Sequence, residues 1–587
     1  MKKKFSLSLL FIVLVLFVAQ GGWPPSDIRL DTGDAPGAND SWFPQVDTNG
    51  SRVYAVWNDY RNGLQDIYFN YSTDGGTTWQ PSDIRLDTGD TPGANESTNP
   101  KMCNNGTNVY VVWYDERNGF RDIYFNYSTD GGATWQASDI RLDTGDTPGA
   151  NSSQAPQISN NGDNIYVVWY DGRNGGFDIY LNFSTDGGAT WQASDIRLDT
   201  GDTPGTNSSF APQLDVSGNY IYVAWEDYRN GGADIYFNYS ANGGANWQAS
   251  DIRLDTGDTP GASNSGKAQV CNSGSSVYIV WYDFRDGEAD IYFNYSADSG
   301  ATWQSSDIRL DTGDPAGATN SYSPQISCDG TNVYVAWYDY RNNLRPDIYF
   351  NCSTDGGSNW LVEAIRLDTG DAPGAGDSMS PQIKSSGNNV YVAWHDGRNG
   401  DDDIYFNCST DGGMTWKTPD SRIDTGDAPG ANDSISHHLA CLENSVFIIW
   451  RDDRNGEDDI YFNTATIPGP DIKANGSDEP ITMHRSDTLS ITVAFDSGTF
   501  TGDDADWWLV ARTPFGWYYY DPDLEWQSGR DVTLQIPLRN LPVREVMHVS
   551  GLPAGSYTFY FGVDLNKNGL INIKQAYYDS VKVIINP

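Results

Sequence analysis

Apolar and polar positions along this chain fall into short bounded runs, not into the three-to-four-residue spacing of a helical face. Residues 165 to 170, Ile-Tyr-Val-Val-Trp-Tyr, are a β-branched and aromatic run closed off by a turn at Arg173-Asn174-Gly175-Gly176. Runs of that length, flanked by Gly, Asn and Asp, predict strands. Around this one the pattern predicts three more. Pro156 to Ser159 form a short first strand, Asp178 to Phe183 a third, and Asp195 to Leu198 a fourth after the fold-back at Ser184 to Trp191.

The four-strand pattern repeats. The string Arg-Leu-Asp-Thr-Gly-Asp, or a near copy, starts at Arg29, Arg85, Arg141, Arg197, Arg253, Arg309, Arg366 and Arg422, 56 residues apart with one step of 57. Trp-x-Asp-x-Arg recurs from Trp57 through Trp450, and Asp-Ile-Tyr from Asp66 through Asp459, each eight times. A four-stranded unit at such a period predicts a propeller blade.

A further element, Ser-x-Asp-x-Gly-x-Thr-Trp, resembles the Asp box of sialidase-type β-propellers. Its Asp can accept backbone N–H bonds across a tight hairpin, its Gly supplies unusual backbone angles, and its Trp packs between sheets. Copies end at Trp79, Trp135, Trp191, Trp247, Trp303, Trp360 and Trp416, and the copy ending at Trp247 carries Asn242 in place of Asp. There are thus seven boxes against eight of everything else. The eighth unit stops at Thr464 to Pro468 without a fourth strand, while the chain opens on an unpartnered one, Ser26 to Leu30. The expectation is an all-β, eight-bladed β-propeller over residues 23–467, with the N-terminal strand completing the last blade and leaving no open edge.

Pro468-Gly469-Pro470 ends the repeat. Residues 471–587 carry irregular strand patterns and predict a β-sandwich; the segment resembles a C-terminal module of bacterial secreted and surface proteins. Within it, Asp564, Asn566, Asn568 and Ile571 belong to a run matching the first nine positions of an EF-hand-type calcium loop, although Gln575 replaces the closing Glu. The alternative is an Asn-Gly hairpin. The dense aromatics at Trp507, Trp508 and Trp517 to Tyr520 are expected to fill a core.

Charge narrows the partners. A net charge of −43 argues against nucleic acid and anionic lipid, and leaves calcium as the natural mediator of any polyanionic contact. Residues 1–21 read as a signal peptide: Lys2 to Lys4, an apolar run from Phe5 to Val18, and a small-residue cleavage site. That run is too short for a membrane span, so the mature protein is expected outside the cell or at its surface. The six cysteines match neither a zinc site nor a disulfide framework and are expected to act as small buried hydrophobes.

Sialidase resemblance implies a search for an active site. In that family three Arg clamp the substrate carboxylate, a Tyr nucleophile pairs with a Glu, an Asp serves as acid/base, and the Asp boxes lie on the opposite face. Six blades and an Arg-Ile-Pro signature are usual there, and both are missing here. This ring is close to symmetric instead. Arg61, Arg117, Arg173, Arg229, Arg285, Arg341, Arg398 and Arg454 each follow an Asp by two residues, which suits a binding ring less than a structural ion pair bracing a turn.

Asymmetry is concentrated after the repeated Trp, where Asn58, Tyr114, Tyr170, Glu226, Tyr282, Tyr338, His395 and Arg451 stand in successive units. Tyr170 or Tyr282 beside Glu226 can imitate the Tyr–Glu pair, and His395 and Arg451 are further catalytic candidates. The leading expectation is a non-catalytic extracellular scaffold that contacts glycans or other cell-surface components through a near-symmetric face. Its rivals are a sialidase-like glycoside hydrolase and a structural surface-layer or filament subunit. The acidic loops Asp-Thr-Gly-Asp-x-Pro-Gly-Ala-Asn offer either calcium ligands or Gly-Pro turns capped by Asp.

Overall fold

The structure is a computed structural model that describes residues 23–24, 26–342, 345–478, 480–572 and 576–587. The signal-peptide segment and Gln575 therefore lie outside the described residues. Among those residues the only helical element is one short turn, Gly498–Phe500.

The repeat folds into a β-propeller. Eight four-stranded antiparallel sheets are present among the described residues, each packing on the next and the first packing on the eighth. The third consists of Ser153–Asn161, Asn164–Asp171, Asp178–Ser184 and Ile196–Arg197. Its first strand is longer than the sequence pattern suggested. The extra length follows from a bulge between Gln154 and Gln157, where Ala155 takes a φ of 48°. A bulge breaks the period of two, so the run does not read as one strand. The same bulge occurs in every sheet, from Phe43 to Ser436.

Ile28–Arg29 pairs antiparallel with Asp459–Thr466, Ile28 opposite Phe462 and Arg29 opposite Tyr461, and so supplies the eighth sheet's fourth strand. Adjacent sheets share apolar layers; Trp169, Ile165, Tyr110 and Phe125 belong to one such layer. The Asp box acts locally as expected. Asp186 Oδ1 accepts the Thr190 N–H at 2.8 Å, Ser184 Oγ accepts that of Gly188 at 2.9 Å, and Trp191 meets Phe125 of the preceding sheet edge-on at 4.9 Å.

The cysteine expectation is corrected at one pair. Cys271 and Cys328 form a disulfide between the first strands of the fifth and sixth sheets. Their separation of 57 residues is one more than the repeat, so they occupy non-equivalent positions that only the packing of neighbouring strands brings together. Cys352 and Cys408 are buried free thiols.

Beyond the ring, Gly469–Ala474, Thr488–Asp496 and Leu541–Ser550 form a three-stranded sheet, facing a seven-stranded one. Ile491, Val493, Trp507, Leu509 and Phe561 fill the space between them. The two parts of the chain touch at the seventh sheet's Asp box. The Tyr578 hydroxyl donates to Asp411 Oδ2 at 2.7 Å, and Lys417 Nζ, which donates to the Ala576 carbonyl, lies 3.3 Å from the Tyr577 ring centre.

Candidate functional site

Each second strand ends in Trp-x-Asp, and the turn that follows delivers the ring arginine. Arg61 donates its backbone N–H to Asp59 Oδ1 at 2.7 Å. Its guanidinium pairs with Asp59, reaches Asp83 Oδ2 at 2.7 Å and lies 4.0 Å above the Tyr68 ring. Burial works against the charge, but the two carboxylates outweigh it and hold the group protonated. Arg117, Arg173, Arg229, Arg285, Arg398 and Arg454 each repeat this double pairing. Arg341 keeps its own Asp339 but turns its other arm to the Thr312 carbonyl at 2.8 Å, because Ala364 stands where other sheets place the second Asp. The approach is tight: a Cβ on Gly33 would lie 1.6 Å from Arg61 Nη1.

A second ring of arginines received no role from sequence. Arg85 contacts Asp66 and Asp87 at 2.9 Å each and Asp90 at 2.8 Å. Asp66, Asp87 and Asp90 make a cluster able to hold a metal ion, and here their positive partner is that guanidinium. The Asp-Thr-Gly-Asp loops thus have a cation built into the chain. Burial pushes Asp31, Asp87, Asp143, Asp199 and Asp255 up to about 8.

The variable residues spread around the ring instead of converging. The Tyr170 hydroxyl donates to Gln154 Oε1 at 3.1 Å, and its ring meets Phe177 at 5.1 Å and Phe210 at 5.4 Å. Arg451 pairs with Asp458 at 2.7 Å. His395 lies edge-on to His437 at 6.1 Å, and burial lowers it to about 4. One sequence-level pairing does form. A Cβ on Gly266 would lie 2.6 Å from the Tyr282 hydroxyl and 3.3 Å from Glu226 Oε1, so the two side chains meet over that glycine. Glu226 also accepts the Lys267 N–H at 2.8 Å. Burial, then the Glu226 charge, push Tyr282 up to about 12, the opposite of an activated phenol nucleophile.

What the sequence pattern did not disclose on this face is an aromatic arc. Phe210 links Tyr170 to Tyr228 at 5.9 Å, and Tyr282, Phe284, Tyr322 and Tyr338 continue it with centroid separations of 5.4 to 6.2 Å. The arc covers the third to sixth sheets, with Glu226 between its halves. The repeat alignment hid it, since Phe210 and Tyr322 share one variable repeat position and Tyr228 stands at another, neither of them part of a repeated motif. His437 and His438 do not form a metal site: Nε2 of His437 bonds the Ala393 carbonyl at 3.1 Å and Nδ1 of His438 accepts the Val46 N–H at 3.3 Å.

In the C-terminal loop, Asp564 Oδ1 accepts the Asn566 N–H at 2.9 Å and Oδ2 accepts that of Asn572 at 2.8 Å. Asn568 Oδ1 accepts from Leu570 at 2.9 Å, and Ile571 lines a neighbouring cleft. These are the bonds of a capped turn. A second acidic cluster, Asp471, Asp478 and Asp579, lies elsewhere in the same part of the chain.

Residues 51–335, within the propeller, match the BNR repeat-like domain. No curated protein matches the chain. Among solved structures, polysaccharide lyase Uly1 is 12% identical, covers 62% of this chain and 88% of its own, and has a TM-score of 0.40. The α-L-arabinofuranosidase Arb93A from Fusarium graminearum is 11% identical over 76% of this chain and 98% of its own, with a TM-score of 0.35. A mutant Trypanosoma rangeli sialidase with trans-sialidase activity is 11% identical over 73% and 83%, with a TM-score of 0.31. Likenesses this distant carry neither activity nor ligand over to this chain.

Proposed function

We propose that this is an extracellular, non-catalytic binding platform whose propeller takes glycans across the face bearing the aromatic arc. One observation carries the reading. Every ring arginine is neutralised by its own aspartate, so none of the eight is left to clamp a substrate carboxylate. A charge held by two buried carboxylates cannot be redirected to a ligand without leaving those carboxylates unpaired. The face carries instead half-buried Tyr and Phe rings around Glu226, with Tyr228 exposed, an apolar surface that suits sugar rings. The Cys271–Cys328 disulfide supports an oxidising compartment, and with it export by residues 1–21. Calcium remains a proposal for the Asp564 loop, testable by a calcium-dependent rise in unfolding temperature that Asp564→Asn removes.

The Tyr282–Glu226 contact favours one rival, a sialidase-like hydrolase. Incubation of purified protein with a fluorogenic sialoside separates the two. The platform reading expects no turnover, together with retention on immobilised glycans that Tyr170→Ala and Phe210→Ala reduce. Turnover abolished by Glu226→Ala overturns it.

A further inference from the structure

The strand Asp504–Thr513 is apolar on both sides, and a simple sandwich needs only one. Trp507, Leu509 and Ala511 face the core between the two sheets, whereas Trp508 and Val510 point the other way and join a separate cluster with Trp517, Tyr560 and Tyr578. The propeller covers only the rim of this outer face, where Tyr578 reaches Asp411 and Thr415 approaches. Between them lies a cleft of about 710 Å³.

We propose that this cleft binds a neutral oligosaccharide. Its size falls within the range of small-molecule sites. Its wall is a run of rings: Trp517 to Tyr560 at 5.9 Å, Tyr560 to Tyr578 at 6.5 Å, and Tyr578 to Trp508 at 5.8 Å. Such faces stack on the C–H side of sugar rings and leave the hydroxyls outward. Planar hydrogen-bonding groups stand at the rim to receive those hydroxyls. Arg530 lies 5.1 Å from the Trp517 ring centre, and Asp531 and Asn572 line the same cleft. Trp508, only 3% exposed, has an indole N–H that finds no partner among the described residues.

Charge selects within the saccharides. The guanidinium and carboxylate at the rim cancel, while the chain as a whole carries −43 and repels polyanions. A neutral chain is therefore the matching ligand. This site is separate from the propeller face, and the proposal stands whether or not that face binds glycans.

The test uses the full-length protein and four probes: cellohexaose, xylohexaose, mannohexaose and chitohexaose, each titrated by tryptophan fluorescence and calorimetry. The expected result is saturable binding of at least one, weakened about tenfold or more by Trp517→Ala and by Arg530→Ala, largely kept by Trp517→Phe, and unchanged by Tyr170→Ala on the propeller. Arg530→Ala, at an exposed rim position, keeps the test decisive should Trp517→Ala fail to fold. Absence of binding to all four probes overturns the proposal. So does binding that survives both cleft variants, or that only Tyr170→Ala removes.

Discussion

Replacing Asp27 by Ala tests the closing strand directly. The Asp27 carboxylate is buried and accepts five bonds from the eighth and seventh sheets: Arg454 Nη1 at 2.7 Å, the Gly426 N–H at 3.0 Å, Asn463 Nδ2 at 3.1 Å, the Thr425 N–H at 3.2 Å and the Thr425 hydroxyl at 3.4 Å. Bonds to a charged group contribute about 1.5–3 kcal/mol each, but Arg454 retains Asp452 and part of the burial cost of Asp27 is recovered. A net loss of about 3 kcal/mol is expected. Two residue pairs and one further bond, from the Leu30 N–H to the Ile460 carbonyl at 2.8 Å, join the backbone of this strand to its neighbour. The loss is therefore local as well as global. Amide exchange should accelerate in Ser26 to Leu30 and along Asp459–Thr466, while the equivalent Asp195→Ala in the third sheet lowers stability without exposing an edge. Asp27→Asn, which still accepts through its amide oxygen and is neutral, should restore more than half. Unchanged exchange along Asp459–Thr466 in Asp27→Ala would refute the closing role of this carboxylate. Midpoints in denaturant are the appropriate stability measure, because repeat arrays need not unfold in two states.

Three further outcomes follow from the same geometry. The buried loop aspartates have folded-state values above that of an unfolded carboxylate, so their stabilisation is present at low pH and lost as pH rises toward about 8. Denaturation midpoints should fall from about pH 6.5 to about pH 8, and a rise over that window contradicts the assignment. Removing the disulfide with Cys271→Ser and Cys328→Ser, which opens a 57-residue loop, should cost about 2–4 kcal/mol, and dithiothreitol should then have no further effect on the midpoint. Tyr578→Phe removes the bond to Asp411 and should loosen the junction by about 1 kcal/mol, read as faster proteolysis between residues 467 and 471.

Much of the architecture is legible in the amino-acid sequence alone. The period and the mismatch between seven Asp boxes and eight other motifs carry topology, because each unit must bury its Trp against a neighbour and an unpaired edge must be closed. The pairing of every ring arginine with the Asp two positions earlier is also readable, being local in the chain. The second partner, 22 residues on, is not, nor is the Arg85-type ring, since those contacts depend on which strand lies beside which.

The candidate site follows the same division. Glu226 stands out as a departure at a position where Tyr282 keeps the commonest residue, yet their meeting over Gly266 belongs to the interface of adjacent sheets. The aromatic arc draws on Phe210 and Tyr322 at one variable repeat position and Tyr228 at another, positions where the repeat keeps no common residue. Tertiary structure likewise sets the half-buried Trp517 on the wall of a cleft, while Trp507 and Trp508 are buried in two separate apolar clusters on opposite sides of their strand. Repetition is a property of the chain and can be counted along it. Convergence of unlike residues on one surface is a property of packing, and only the folded ring brings it about.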